Sequence, residues 1–279
     1  MRDPLGGRDG GQHASLALGF LFLMTAALGA CRSMSAERIS AARPDRVLFV
    51  GNSLTFFNDG LHTHYGNLLR AAGRRDSEQA RVRQFTLAGA RLRELAPTLP
   101  EIVGERGYDF VVLQGHSSEA IGTSTAAFHA SVRRIVSTLR GSGCEVVLMM
   151  TWGFENRPEM TAALAASYRQ IATELGVAVI PAGLAFERAS RELPQVRLFK
   201  PDFARIESVD GQPRVRHQRD VKHPSLAGTY LMACTAYARL VGVSPVGNPY
   251  HADLDADTAL ALQAIAEAVV AEQHGSSAR

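Results

Sequence analysis

The stretch Val47-Leu-Phe-Val-Gly-Asn-Ser-Leu-Thr-Phe-Phe-Asn-Asp-Gly60 passes from four apolar residues into Gly-Asn-Ser-Leu and then turns polar. Arg46–Val50 shows no polar alternation, which is the pattern of a strand covered on both faces. Ser53 follows at once. It is either an ordinary turn hydroxyl or a nucleophile lifted clear of the end of a buried strand. The surroundings that the rest of the chain supplies decide between the two.

The apolar runs recur, each followed by a helical pattern. Arg46–Val50, Arg81–Leu87, Asp109–Leu113, Glu145–Met150 and Val177–Ile180 read as strands. Leu61–Ala72, Arg91–Arg106, Thr125–Arg140, Pro158–Leu175 and a segment reaching Glu192 read as helices, with two more at Ser225–Val241 and Asp255–Glu272. This alternation predicts an α/β fold, a three-layer α/β/α sandwich around a parallel sheet. Residues 194–222, dominated by Pro, Gly and charge, read as an irregular loop. A chain of 279 residues, 46% hydrophobic and 20% charged, fills one large core without demanding two. A net charge of +3 with no basic stripe excludes a nucleic-acid surface.

The first 30 residues stand apart. Ala14–Ala30 is an apolar run of 17 residues ending in small side chains, short for a bilayer span and suited to a secretory signal. Leu28-Gly-Ala-Cys31 resembles a bacterial lipobox, which would make Cys31 the lipidated first residue of the mature protein. The expected organisation is a signal peptide over 1–30, a linker over 31–44 and one domain over 45–275. The expected destination is the periplasm or a lipid-anchored state, with the membrane touched only through that N-terminus. Cys144 and Cys234 fall in apolar segments and read as free buried thiols; with no CxxC, a thiolate metal site is not supported. His62 and His64 are two apart on a predicted helix and do not share a face, so they do not form a metal pair.

In parallel α/β sheets, sites form beyond the carboxyl ends of the strands. Small and polar residues collect there: Gly51-Asn52-Ser53 after the first strand, Gly89 after the second, Gln114-Gly-His116-Ser117 after the third and Trp152 after the fourth. Asp220-Val-Lys-His223-Pro224 precedes a helix. A serine hydroxyl needs a base within reach, and His223 is the candidate, with Asp220 to orient its imidazole. One short loop delivers both. The N–H groups of Ser53 and Gly89 are candidates for an oxyanion hole. Gly89 has a plain alternative as a turn glycine with positive φ. Asn52, His116, Ser117 and Trp152 are candidate pocket residues, Trp152 being as readily a packing residue.

Taken in order, these blocks resemble the SGNH (GDSL-type) hydrolase superfamily. Gly51-Asn52-Ser53-Leu54 looks like its first block, with Asn52 where Asp is usual, Gly89 like its second, and Asp220-x-x-His223-Pro like its last. The resemblance implies a flavodoxin-like sheet of five parallel strands and hydrolysis through an acyl-serine, without metal or cofactor. The third block departs, because the family's Asn donor is missing. Gln114 carries the same amide on a longer stem and is the expected third oxyanion donor, with Ser117 as the alternative. The implied substrate is a small-molecule or carbohydrate ester. The alternative in another class is a catalytically silent carbohydrate-binding module on the same fold.

Overall fold

The computed structural model describes residues 44–74 and 80–277. The signal segment 1–30, Cys31 and the linker up to residue 43 lie outside the described residues. Successive residues of β1 (Arg46–Gly51) face opposite apolar layers, Val47 and Phe49 one way and Leu48 and Val50 the other, none more than 1% exposed. A strand buried on both sides belongs at the centre of a sheet, and β1 lies there. It pairs in parallel with β2 (Arg81–Thr86) on one side and β3 (Phe110–Gln114) on the other. β4 (Glu145–Met149) and β5 (Ala178–Ile180) extend the sheet in the order β2-β1-β3-β4-β5. The fold is the expected three-layer sandwich. The chain crosses from one side of β1 to the other, so the carboxyl end of β1 is the topological switch point, and Ser53 follows it directly.

The helices divide between the two layers. α1 (Ser53–Phe56) is a single turn at the end of β1, and α2 (Leu61–Ala71) packs on the Val47 and Phe49 face. α3 (Leu92–Leu95), α4 (Leu99–Arg106), α5 (Thr125–Leu139) and α6 (Met160–Leu175) cover the Leu48 and Val50 face. α7 (Ala182–Glu192), α8 (Leu226–Val241) and α9 (Ala256–Ser277) join α2 on the first face. The single helix expected over Arg91–Arg106 is two, α3 and α4, with Pro97 between them and Pro100 in the first turn of α4. Proline lacks the N–H and clashes with the preceding turn, so it is accepted only near a helix start. α9 ends at Ser277, two residues past the expected boundary of 275. Cys144 and Cys234 are free, and burial pushes both thiols up.

Residues 194–222 are not an irregular loop throughout. They contain an antiparallel hairpin, β6 (Phe203–Val209) and β7 (Gln212–Gln218), turned by Asp210 and Gly211 at φ 52° and 76°. A two-residue turn with positive φ at both positions matches the right-handed twist of its strands. Both faces of the hairpin are exposed, with Ile206 and Val215 paired across it.

Candidate active site

Two segments bring Ser53, His223 and Asp220 together, the turn at the end of β1 and the loop before α8. The Nε2 of His223 lies 2.9 Å from Ser53 Oγ, and its Nδ1 lies 2.8 Å from Asp220 Oδ2. Because a carboxylate only accepts, Nδ1 carries the proton and Nε2 accepts from the serine hydroxyl. Asp220 Oδ1 also accepts the backbone N–H groups of His223 at 3.0 Å and Lys222 at 3.3 Å, so the loop folds around its own carboxylate. Burial raises the Asp220 pKa, but the bonds from His223 and Lys222 outweigh it and hold the carboxyl below its usual range. His223 is lowered, first by burial and then by the nearby charges of Lys222 and Lys200, against the raising effect of Asp220. The imidazole is therefore neutral near neutral pH and free to accept a proton.

The serine turn is held from beneath by Gln114. Its Oε1 accepts from the Asn52 N–H at 3.1 Å and the Thr55 hydroxyl at 2.8 Å, and its Nε2 donates to the Gly115 carbonyl. Gly51 makes room for this: a Cβ there would meet the Gln114 amide oxygen, and Thr55 Oγ1 at 2.6 Å. Gln114 therefore differs from its expected role as third oxyanion donor. The donor end of its amide is engaged by the Gly115 carbonyl and the acceptor end by the turn, where Gly51 admits it for want of a side chain. Asn52 also differs from its pocket role. It is 1% exposed, caps Leu54 N–H through Oδ1 at 3.2 Å and donates to the Ala90 carbonyl at 2.9 Å.

That last bond, with Leu87 N–H on Gly51 O at 3.2 Å, draws the loop after β2 against the serine turn. Gly89 sits in this loop at φ +69°, with open space where a Cβ would go. Among the described residues, neither the Ser53 N–H nor the Gly89 N–H donates to a protein acceptor. Ser53 is half-buried and Gly89 exposed, so both N–H groups are open to an incoming oxygen, as donors to a developing oxyanion must be.

No family model matches the sequence, and no curated protein matches it. Solved structures do. A DUF4886 family protein from Bacteroides uniformis aligns over 81% of this chain and 94% of its own at TM-score 0.59 and 16% identity. The acetylxylan esterase of Geobacillus stearothermophilus aligns over 74% and 97% at TM-score 0.52 and 18% identity. A GDSL-like lipase from Parabacteroides merdae aligns over 72% and 97% at 0.53 and 16%. The chain shares its fold with these proteins, a GDSL-like lipase among them.

Within this fold, the remaining expected site residues divide. His116 is half-buried near Lys222 and Arg91, its N–H donating to Glu119 Oε2 at 3.1 Å. Ser117 is buried, with its carbonyl 3.4 Å from the Thr151 hydroxyl. Trp152 is packed rather than open: it stacks on Phe186 at 4.1 Å and donates its indole N–H to Lys222 O at 2.9 Å, bracing the loop that carries His223. Trp152 also lines a cleft of about 480 Å³, with Phe154, Pro158, Val196 and Leu198, which includes none of Ser53, Asp220 or His223. Its size does not make it the seat of the chemistry. Ser53 lies outside it, half-buried at the carboxyl end of β1.

Sequence reasoning missed the supports behind this site. Phe57 meets the His223 ring edge-on at 4.6 Å. The Asn58 amide donates to Pro224 O at 3.0 Å and Thr229 Oγ1 at 2.8 Å, while Asn58 O accepts from His64 Nε2 at 2.7 Å. His64 is thus a neutral packing histidine whose pKa is lowered by burial, and among the described residues no three His, Cys, Asp or Glu side chains cluster as metal ligands would. Glu119, 1% exposed, closes the loop after β3; its carboxyl is raised by burial despite the bond from His116 N–H.

Proposed function

We propose that the protein is a serine esterase working through an acyl-serine. The observation that carries this reading is the Ser53–His223–Asp220 chain of hydrogen bonds, 2.9 and 2.8 Å long. Ser53 Oγ attacks the ester carbonyl as its proton passes to His223 Nε2, and Asp220 stabilises the imidazolium. The carbonyl oxygen, now an anion, takes the Ser53 and Gly89 N–H groups. His223 protonates the leaving alcohol as the C–O bond breaks. Water then gives a proton to His223, attacks the acyl group and releases the acid, and Ser53 recovers its proton. No cofactor enters these steps. The likeness to acetylxylan esterases favours O-acetyl groups on carbohydrate as the substrate class. The same reading takes the chain as exported and anchored through Cys31, and Cys31→Ser should then abolish metabolic palmitate labelling.

The test is hydrolysis of nitrophenyl esters of acetyl and longer chains by the wild type and Ser53→Ala, with fluorophosphonate labelling. Ser53→Ala should lower kcat by roughly 10⁴-fold or more and remove the label. Turnover that survives the substitution refutes the mechanism. Absence of both turnover and label with every chain length favours a silent binding module.

A further inference from the structure

Of the 30 basic side chains only two are lysines, Lys200 and Lys222, and both lie beside His223. Lys200 reaches the site through the backbone: its N–H donates to His223 O at 2.9 Å, next to the bridge between Phe199 and Pro224. Its ammonium sits over the Phe57 ring at 4.1 Å, and Phe57 packs against His223. Lys222 precedes His223, and its charge is felt by both His223 and His116. Among the described residues neither lysine makes an ion pair, whereas the neighbouring Arg205, Arg216 and Arg219 each meet a glutamate, Glu207 or Glu155. Arg91, the other cation near His116, is accompanied by Glu94 and Glu119.

Lys200 and Lys222, both half-buried residues and neither ion-paired among the described residues, oppose the imidazolium that catalysis must form on His223. A bound anion removes that penalty and gains two charge-assisted contacts. The side on which it binds follows from the proton path. His223 hands its proton to the leaving oxygen, so groups flanking His223 flank the alcohol, while Gly89 faces the acyl oxygen. Resting on the esterase reading above, we infer that the preferred substrate is an ester whose leaving alcohol carries a carboxylate, as the hydroxyls of a uronic acid do, and that Lys200 and Lys222 hold that carboxylate.

The experiment compares kcat/KM, each divided by the uncatalysed rate, for 3-acetoxybenzoate and its neutral methyl ester. A second pair, 4-nitrophenyl hemisuccinate and 4-nitrophenyl butyrate, moves the charge to the acyl side. The wild type should favour the anionic acetate by about tenfold or more, a typical return for a charged hydrogen bond, and salt should erode the preference. In Lys200→Met/Lys222→Met the ratio should fall towards one, and in Lys200→Arg/Lys222→Arg it should persist. A wild-type ratio near one, a ratio untouched by the methionine pair, or a preference confined to the hemisuccinate overturns the inference. If no ester is turned over, the esterase reading fails separately. Ligand-observed NMR of methyl glucuronoside against methyl glucoside then decides the anion site: lysine-dependent binding of the uronoside supports it, and equal or no binding overturns it.

Discussion

Gln114→Ala separates a residue that holds the nucleophile's turn from one that touches the oxyanion. In the structure Gln114 Oε1 is the acceptor for two groups, the Asn52 N–H at 3.1 Å and the Thr55 hydroxyl at 2.8 Å. Asn52 and Thr55 are each 1% exposed, so solvent does not replace the lost acceptor. A buried donor left unpaired costs about 1–3 kcal/mol, giving roughly 2–5 kcal/mol for the two after partial relaxation. For a domain of this size that is a fall in Tm of about 5–15 °C. Thr55→Val supplies the control. It removes one of the two donors, so it should cost about 1 kcal/mol in the wild type and nearly nothing once Gln114 is Ala. Thermal unfolding of the four proteins measures the coupling, and nitrophenyl acetate hydrolysis is followed alongside. An unchanged Tm for Gln114→Ala, or full additivity with Thr55→Val, refutes the bracing role. A loss of about 10²-fold or more in kcat at unchanged stability would return Gln114 to the oxyanion hole.

Gly89→Ala meets open space, so its effect is confined to a backbone at φ +69° that alanine adopts at a cost of about 1–2 kcal/mol. It should lower kcat by roughly 10–100-fold through a misplaced N–H while moving Tm by only a few degrees, and an unaltered kcat would count against the oxyanion role. Trp152→Phe keeps the stack on Phe186 but leaves the Lys222 carbonyl unbonded; a fall of roughly tenfold in kcat with an intact fold by circular dichroism is expected, and no fall would show that the indole does not brace the His223 loop. The pKa of His223 is lowered from 6.5 by burial and by the two lysines, so the acid limb of kcat/KM should lie below 6.5 and move up in Lys200→Met/Lys222→Met. His64, His116 and His223 are all lowered from 6.5, so on acidification the unfolded chain takes up protons that the folded one refuses. Stability should therefore fall with pH below about 6.5; a Tm that rises between about pH 7 and pH 5 contradicts this.

The features legible in the sequence were those settled by local chemistry. The apolar run at Val47–Val50 implies cover on both faces, and Val47 and Leu48 do enter opposite layers. The Asp220-x-x-His223 spacing lets one turn join carboxylate to imidazole, and that bond is made within the loop. What stayed hidden depends on neighbours distant in sequence. Gln114 turns towards Asn52 because Gly51, on the adjacent strand, has no side chain to exclude it. The hairpin did carry a signal, Asp210-Gly211, but with both faces in solvent its strands lack the apolar alternation that marks a half-buried strand. The helical break at Pro97 was visible and outweighed by the periodicity around it.

Lys200 shows how composition acquires meaning only through the fold. Two lysines among 30 basic residues are plain in the sequence, yet nothing in residues 194–222 relates Lys200 to His223 until the bridge between Phe199 and Pro224 sets them side by side. Once paired, the two segments set both lysines beside His223, the proton-donating side of the site. There each positive charge opposes the His223 imidazolium, and a bound anion removes that opposition. The arrangement therefore belongs to the substrate rather than to the stability of the fold, and replacing both lysines should alter substrate preference far more than Tm.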